Sequence, residues 1–351
     1  MLSSSIASVA GKANPMGFKS TKSVVLVLVD GLGQANLNNF QGHAPNLMKA
    51  LRAQPGSLRT ECPSTTVVSI TSLLTGVRSA EHGLIGYNVL DPRQDKVVNL
   101  LSGWEVDRID PEPWRRVAPL SESTSNLTVV SLDTYRKSGF TSLTTGTASF
   151  IGEASIEERL HKAAKVATQP GQVVYCYVPE LDQAGHRFGS NSGQWISVLE
   201  DLDGAFGQVS RVGGVSWVIT GDHGMVDVSA EGHVYLETLG SLSDIAFRTG
   251  GDTRCAYLYL DEAADSQNIA AALAAELGSN AWVATWVELV QSGWQTEGAD
   301  PHSVPDLVLL ARTEIAFYDR RSAKPTSLKM IGHHGSITDA ETRVPLIRVE
   351  I

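Results

Sequence analysis

Four stretches of this chain are apolar at nearly every position: Ser23 to Gly31, Asn126 to Leu132, Val173 to Val178 and Gly214 to Thr220. A strand with one wet face alternates polar and apolar residues. A continuous, β-branched run of this length predicts a strand buried on both faces, as in a parallel sheet. The segments between them carry a helical period instead. Ala44 to Arg52 reads as a helix with Pro45 in its first turn. Val67, Ile70, Leu73 and Leu74 line one face of another, with Gly76 as its stop. Ile156 to Thr168 and Trp195 to Val212 complete the set. Strands alternating with helices predict an α/β fold.

Two regions depart from that rhythm. Residues 79 to 125 are rich in turn formers and tryptophan and predict a long connection lining the site. After Asp227 come a strand (Arg254 to Leu260), an Ala-rich helix (Ser266 to Leu277) and a strand-like run (Trp282 to Leu289). This is the size of a β-α-β unit, so residues 235–300 are expected to form a small inserted subdomain. The core is then expected to comprise 20–234 and 301–351, with Pro305 to Ala311 returning to the main sheet and Thr342 to Ile351 closing it. The first twenty residues read as a polar lead-in.

Composition narrows the function. The 351 residues are 42% hydrophobic and 19% charged, enough for a large core. The net charge of -10 argues against a nucleic-acid-binding surface. Cys62, Cys176 and Cys255 form no CxxC pair, so neither a cysteine zinc site nor a disulfide framework is expected. No signal-peptide core or membrane-length apolar run is present, so a cytoplasmic protein without a membrane segment is expected.

The chemistry gathers where the apolar runs stop. The first ends on Asp30-Gly31, the third leads through Pro179 to Asp182 and His186, and the fourth ends in Gly221-Asp222-His223-Gly224. Ligands of open α/β sheets collect at the carboxyl ends of strands. A further pair, His333-His334, sits between glycines. Three carboxylates and three imidazoles at one sheet edge would be costly to bury without cations, and two divalent ions resolve that conflict. The hydroxyls of Ser64, Thr65 and Thr66 precede a helix, where they can cap it, or serve as a nucleophile beside amides that favour a phosphoryl group.

Five ordered motifs, VLVLVDGLG, PSTTVVSITSLLTG with EHGLIGYN, PELDQAGHRFG, GDHGM and GHHGS, resemble the alkaline phosphatase superfamily, and within it the nucleotide pyrophosphatase/phosphodiesterase branch. The resemblance implies a three-layer α/β sandwich with a mostly parallel central sheet and a small α+β insertion. It implies two divalent ions, of zinc type, held by Asp182, His186 and His334 and by Asp30, Asp222, His223 and the nucleophile Thr66. It further implies a small phosphate-ester or nucleotide substrate, hydrolysed at a phosphodiester or pyrophosphate bond through a covalent intermediate. The branch usually carries an asparagine three residues past the nucleophile, where this chain has Ser69. Ser69, a backbone amide or Asn88 is expected to replace it. A phosphomonoesterase or phosphonate hydrolase of the same superfamily is the alternative, with Arg78, Arg187 or Arg254 as the extra cation a monoester needs.

Overall fold

The computed structural model describes residues 1–261 and 263–350. Its main sheet has six strands in the order Ile347–Val349, Ser216–Gly221, Val24–Val29, Val173–Val178, Leu127–Ser131, Ser149–Gly152. All neighbours are parallel except the Ile347–Val349 edge strand, which is antiparallel. The Val24–Val29 strand shows why the apolar run is unbroken. Val25, Val27 and Val29 face helices Pro45–Ala53, Ile156–Ala167 and Gly193–Val209. Val24, Leu26 and Leu28 face helix Thr66–Thr75 and the region around Trp104 and Phe140. Helices thus cover both faces and give three layers, each fully buried aliphatic side chain contributing roughly 1.5–3 kcal/mol.

A second six-stranded sheet, wholly antiparallel, runs in the order Ala281–Ala284, Leu307–Ala311, Cys255–Leu260, Phe247–Asp252, Asn88–Asp91, Lys96–Asn99. It corrects several expectations. Leu307–Ala311 does not return to the main sheet but pairs with Cys255–Leu260. The 79 to 125 connection supplies the 88–99 hairpin, so this sheet draws strands from outside 235–300 on both sides. The run from Trp282 is a strand only over Ala281–Ala284. Thr285 then caps helix Trp286–Gln291, its hydroxyl and Glu288 forming a capping box. The closing strand is two pieces, Arg343–Pro345 against Ser57–Arg59 and Ile347–Val349 on the main sheet. The lead-in contains a helix, Leu2–Val9, whose Leu2 is buried in the core.

Candidate active site

The three central strands of the main sheet, Ser216–Gly221, Val24–Val29 and Val173–Val178, are adjacent and parallel, and their carboxyl ends deliver Asp222, Asp30 and Asp182 side by side. Gly31 makes the approach possible. It adopts φ 76°, donates its N–H to Asp222 Oδ1 at 3.0 Å, and a Cβ there would lie 3.0 Å from Asp182 Cα. Asp182 and His186 sit on helix Glu180–Phe188, four residues apart and so on one face. Gly185 lets that helix close on the loop after Asp222, since a Cβ would meet Met225 Sδ at 2.2 Å.

Two clusters result. In the first, His186 Nε2 lies 3.3 Å from Asp182 Oδ2 and 3.3 Å from His334 Nε2, which is 3.9 Å from Asp182 Oδ1. In the second, His223 Nε2 lies 3.3 Å from Asp30 Oδ1, 3.5 Å from Asp222 Oδ2 and 3.3 Å from Thr66 Oγ1. Thr66 Oγ1 is also 3.5 Å from Asp30 Oδ1. The His223 and His334 rings stack, with centroids 3.6 Å apart, so the clusters share a wall.

All three imidazoles are aimed the same way. The Nδ1 atoms of His186, His223 and His334 meet the backbone carbonyls of Gly332, Gly224 and Ser64 at 2.8, 3.1 and 2.9 Å. That bond puts the proton on Nδ1 and leaves Nε2 free to ligate. The carboxylates fit a cation as well. Asp182 Oδ1 and Asp222 Oδ2, one in each cluster, are buried without a hydrogen-bond partner. Burial, then the charge of Asp30, pushes the pKa of both carboxyls well above the usual range. Asp30 is held low despite its burial, by bonds from His223 and the Tyr177 hydroxyl. His223 is pushed up to about 10: burial opposes its charge, but Asp222, Asp30 and Asp182 outweigh it. His186 and His334 are pushed down, first by burial. Buried acids with raised pKa, orphaned oxygens and Nε2-exposed imidazoles suit divalent ions, which displace protons when bound.

Thr66 opens helix Thr66–Thr75, so the unpaired amides of the first turn lie beside its hydroxyl. Ser64 staples this segment to the His334 loop. Its N–H donates to Gly335 O at 3.1 Å, its hydroxyl donates to Ser336 O at 2.7 Å and accepts from Gly335 N at 3.2 Å.

A scan against family descriptions matches residues 24–337 to the type I phosphodiesterase/nucleotide pyrophosphatase family. The chain belongs to that family. Among curated relatives, an uncharacterized pyrophosphatase/phosphodiesterase of Schizosaccharomyces pombe is 23% identical over 252 residues, 66% of this chain and 50% of the relative. Ectonucleotide pyrophosphatase/phosphodiesterase family member 1 of Homo sapiens is 24% identical over 250 residues, 66% of this chain and 26% of the relative. The chain thus spans half the length of the first and about a quarter of the second. Among solved structures, murine ectonucleotide pyrophosphatase/phosphodiesterase 5, seen as an inactive form with AMP, superposes with a TM-score of 0.71 at 18% identity, over 92% of this chain and 87% of that one. The shared fold is the α/β architecture with its mostly parallel sheet.

Beside the motifs of this family lies a cavity of about 700 Å³, lined by Asp30, Thr66, Asp182, His186 and His334 and by Asn88. Asn88 Nδ2 donates to Gly251 O at 3.0 Å, and its Oδ1 accepts from Asn99, leaving one amide N–H unspent. Ser69 is elsewhere. Its hydroxyl donates to Asp222 O at 2.9 Å, and it is not among the described residues lining the cavity. It supports the Asp222 loop rather than facing the phosphoryl position expected for it. His333 turns away, bonding Thr253 Oγ1 and Met330 O. His82 is buried against Ser72 and Leu84, and burial lowers its pKa to about 3. The three candidate arginines are also outside. Arg78 pairs with Glu61, Arg187 lies over Phe188, and Arg254 is buried on Glu341. Trp104 and Trp114 pack in the core, so the connection from 79 lines the cavity with Tyr87, Asn88 and the hairpin instead. Tyr177 and Asp252 also line the cavity and went unread in the sequence, although Tyr177 shares a strand face with Tyr175 inside a readable run. No helix among the described residues is long and apolar enough to cross a membrane.

Proposed function

We propose that this chain is a two-metal phosphohydrolase that cleaves phosphodiester or pyrophosphate bonds of a small phosphate ester or nucleotide through Thr66. The observation that carries this reading is the Thr66 hydroxyl inside a cluster of Asp30, Asp222 and His223, next to Asp182, His186 and His334, which lie 3.3 to 3.9 Å from one another. Asp182, His186 and His334 would hold one divalent ion. Asp30, Asp222, His223 and Thr66 would hold the other. Their hard oxygen and imidazole donors fit zinc. When bound, the ions supply Lewis acidity to the phosphoryl oxygens and lower the pKa of the Thr66 hydroxyl.

The chain's own residues do the rest. The three Nδ1–carbonyl bonds fix the imidazoles. The first-turn amides of helix Thr66–Thr75, with the free N–H of Asn88, would hold the phosphoryl oxygens. Thr66 Oγ1 forms the new P–O bond as the ester or anhydride oxygen leaves, and water then cleaves the phosphothreonine. Diesters are favoured over monoesters. The cations lining the cavity among the described residues are Lys96, paired with Asp107 at 2.9 Å, and Lys324, and no arginine joins them. The extra charge of a monoester therefore meets no arginine and, beyond the paired Lys96, only the exposed Lys324.

Two measurements on one preparation test this. Chelation should abolish hydrolysis and zinc should restore it, with Asp222→Ala and His334→Ala each losing a different ion in elemental analysis. Active protein without metal would refute the proposal. With zinc supplied, kcat/KM for bis-p-nitrophenyl phosphate should exceed that for p-nitrophenyl phosphate. The opposite order would select the monoesterase reading.

A further inference from the structure

We infer that Tyr177 is a positioning residue for the cluster around Thr66, its hydroxyl fixing the Asp30 carboxylate so that one oxygen alone serves the cluster. The two oxygens of Asp30 have different partners. Oδ1 lies 3.3 Å from His223 Nε2 and 3.5 Å from Thr66 Oγ1, inside the cluster. Oδ2 accepts a hydrogen bond from the Tyr177 hydroxyl.

Some such hold is needed, because the last torsion of an aspartate side chain is soft. Asp222 meets the same need with main chain. Its Oδ1 accepts from the N–H groups of Gly31 and His223, each at 3.0 Å, and its Oδ2 is left unpartnered. The three imidazoles likewise rest on backbone carbonyls. Asp30 differs in that its second oxygen is held by a side chain. That hold can be removed by one substitution.

The sheet brings the two residues together. Tyr177 pairs with Leu28 in the parallel register, and Asp30 N continues the ladder by donating to Val178 O at 2.9 Å. Side chains alternate along a strand, so Leu28, Asp30 and Tyr177 share the face covered by helix Thr66–Thr75. The phenol ring spans the diagonal from Tyr177 to Asp30. It is backed by the Tyr135 ring, with centroids 6.1 Å apart, and the Tyr135 hydroxyl accepts from Gln183 Nε2 at 3.3 Å. Gln183 follows Asp182 on the helix that also carries His186, so the brace is tied to the frame of the other cluster. Without the hydroxyl, the Asp30 carboxylate turns more freely, and ordering it again on ion binding costs affinity. The inference rests on the two-metal reading above and adds to it a residue that touches neither ion nor substrate phosphorus.

The test measures zinc affinity by competition with a chromophoric chelator, together with turnover of bis-p-nitrophenyl phosphate. Tyr177→Phe keeps the ring and removes the hydroxyl. It should weaken one of the two zinc sites about 10- to 100-fold and leave the other within about twofold of wild type. Turnover should fall at limiting zinc and recover as zinc is raised, which a merely structural defect would not do. Tyr175→Phe removes a hydroxyl from the same strand face but none of the Asp30 hydrogen bonds, and should leave both sites within about twofold. Two backgrounds identify the weakened site. Tyr177→Phe should weaken the ion that remains in His334→Ala but not the one that remains in Asp222→Ala. Added to Asp30→Ala, it should cost less than about a further twofold, since its partner is already gone. Equal losses at both sites, an undiminished loss in the Asp30→Ala background, or wild-type affinities in Tyr177→Phe would each overturn the inference and leave the two-metal reading standing. Wild-type protein that binds no zinc would reject that reading and the inference with it.

Discussion

Thr65 and Thr66 carry the same hydroxyl one residue apart, yet their surroundings divide them. Thr65 is the helix N-cap position, buried, with its oxygen unpartnered. Thr66 turns its oxygen to His223 and Asp30. Thr66→Ala should lower turnover by at least about a thousandfold with the far-UV circular dichroism unchanged. Thr65→Ala should keep turnover within about tenfold of wild type. Equal losses in both would mean that the helix start, not one hydroxyl, carries the reaction. The sequence left these hydroxyls open, only the family resemblance singled out Thr66, and nothing in it could orient Ser69. A helix places residue i+3 near residue i, but the direction of the Ser69 hydroxyl was decided by the Asp222 carbonyl from a distant strand. Asn88 was legible as a polar residue after a glycine-rich loop, not as the first residue of a strand on the second sheet.

At the scale of elements, the Asp30, Asp182 and Asp222 segments were readable because each follows an apolar strand run, whereas the His334 loop was marked only by its paired histidines between glycines. What the sequence did not disclose is how each loop's backbone aims its imidazole through Nδ1. Burial and the charge of Asp30 raise Asp182 and Asp222, and His223 sits at about 10 through its acidic neighbours, so a metal bound there must displace a proton from His223. His186 and His334, pushed down, are already neutral near pH 7 and release none. Zinc affinity should therefore rise with pH towards about 10, where His223 loses its proton unaided, with protons released on binding below that. Calorimetry in buffers of different ionisation heats would read this directly, and binding without proton release would contradict it. The second sheet was less legible. Leu307–Ala311 is buried on both faces, as a main-sheet strand would be, so its pattern could not say which sheet it joins. Thr285 and Glu288 did signal a helix start inside the run read as strand, and that capping box went unused.

For the molecule as a whole, the junction between the sheets rests on a buried ion pair. Arg254, in the tight turn between Phe247–Asp252 and Cys255–Leu260, meets Glu341 in a two-point bond of 2.8 and 2.9 Å. Glu341 also accepts from Ser336 N, two residues after His334, and its carbonyl accepts from Gly224 N, one residue after His223. Arg254→Met should strip buried Glu341 of its counter-charge, lowering stability by about 3–5 kcal/mol in urea unfolding. Adding Glu341→Leu should recover part of that loss, since it removes the stranded charge. A single-mutant effect below about 1 kcal/mol would show the pair to be dispensable.

The interleaving of the two sheets has a consequence for how the protein is made. Val24 finds its strand neighbours only at Val173 and Ser216, and the 88–99 hairpin waits for Gly251. Neither sheet is a contiguous piece of chain that a ribosome can release ready to fold. Nascent strands with open edges must persist while more than a hundred residues are added, a state prone to aggregation and suited to chaperones. His334 follows every strand of the second sheet, so the Asp182–His186–His334 cluster is completed late. Metal capture at that cluster would mark a chain in which every strand of the second sheet is already available.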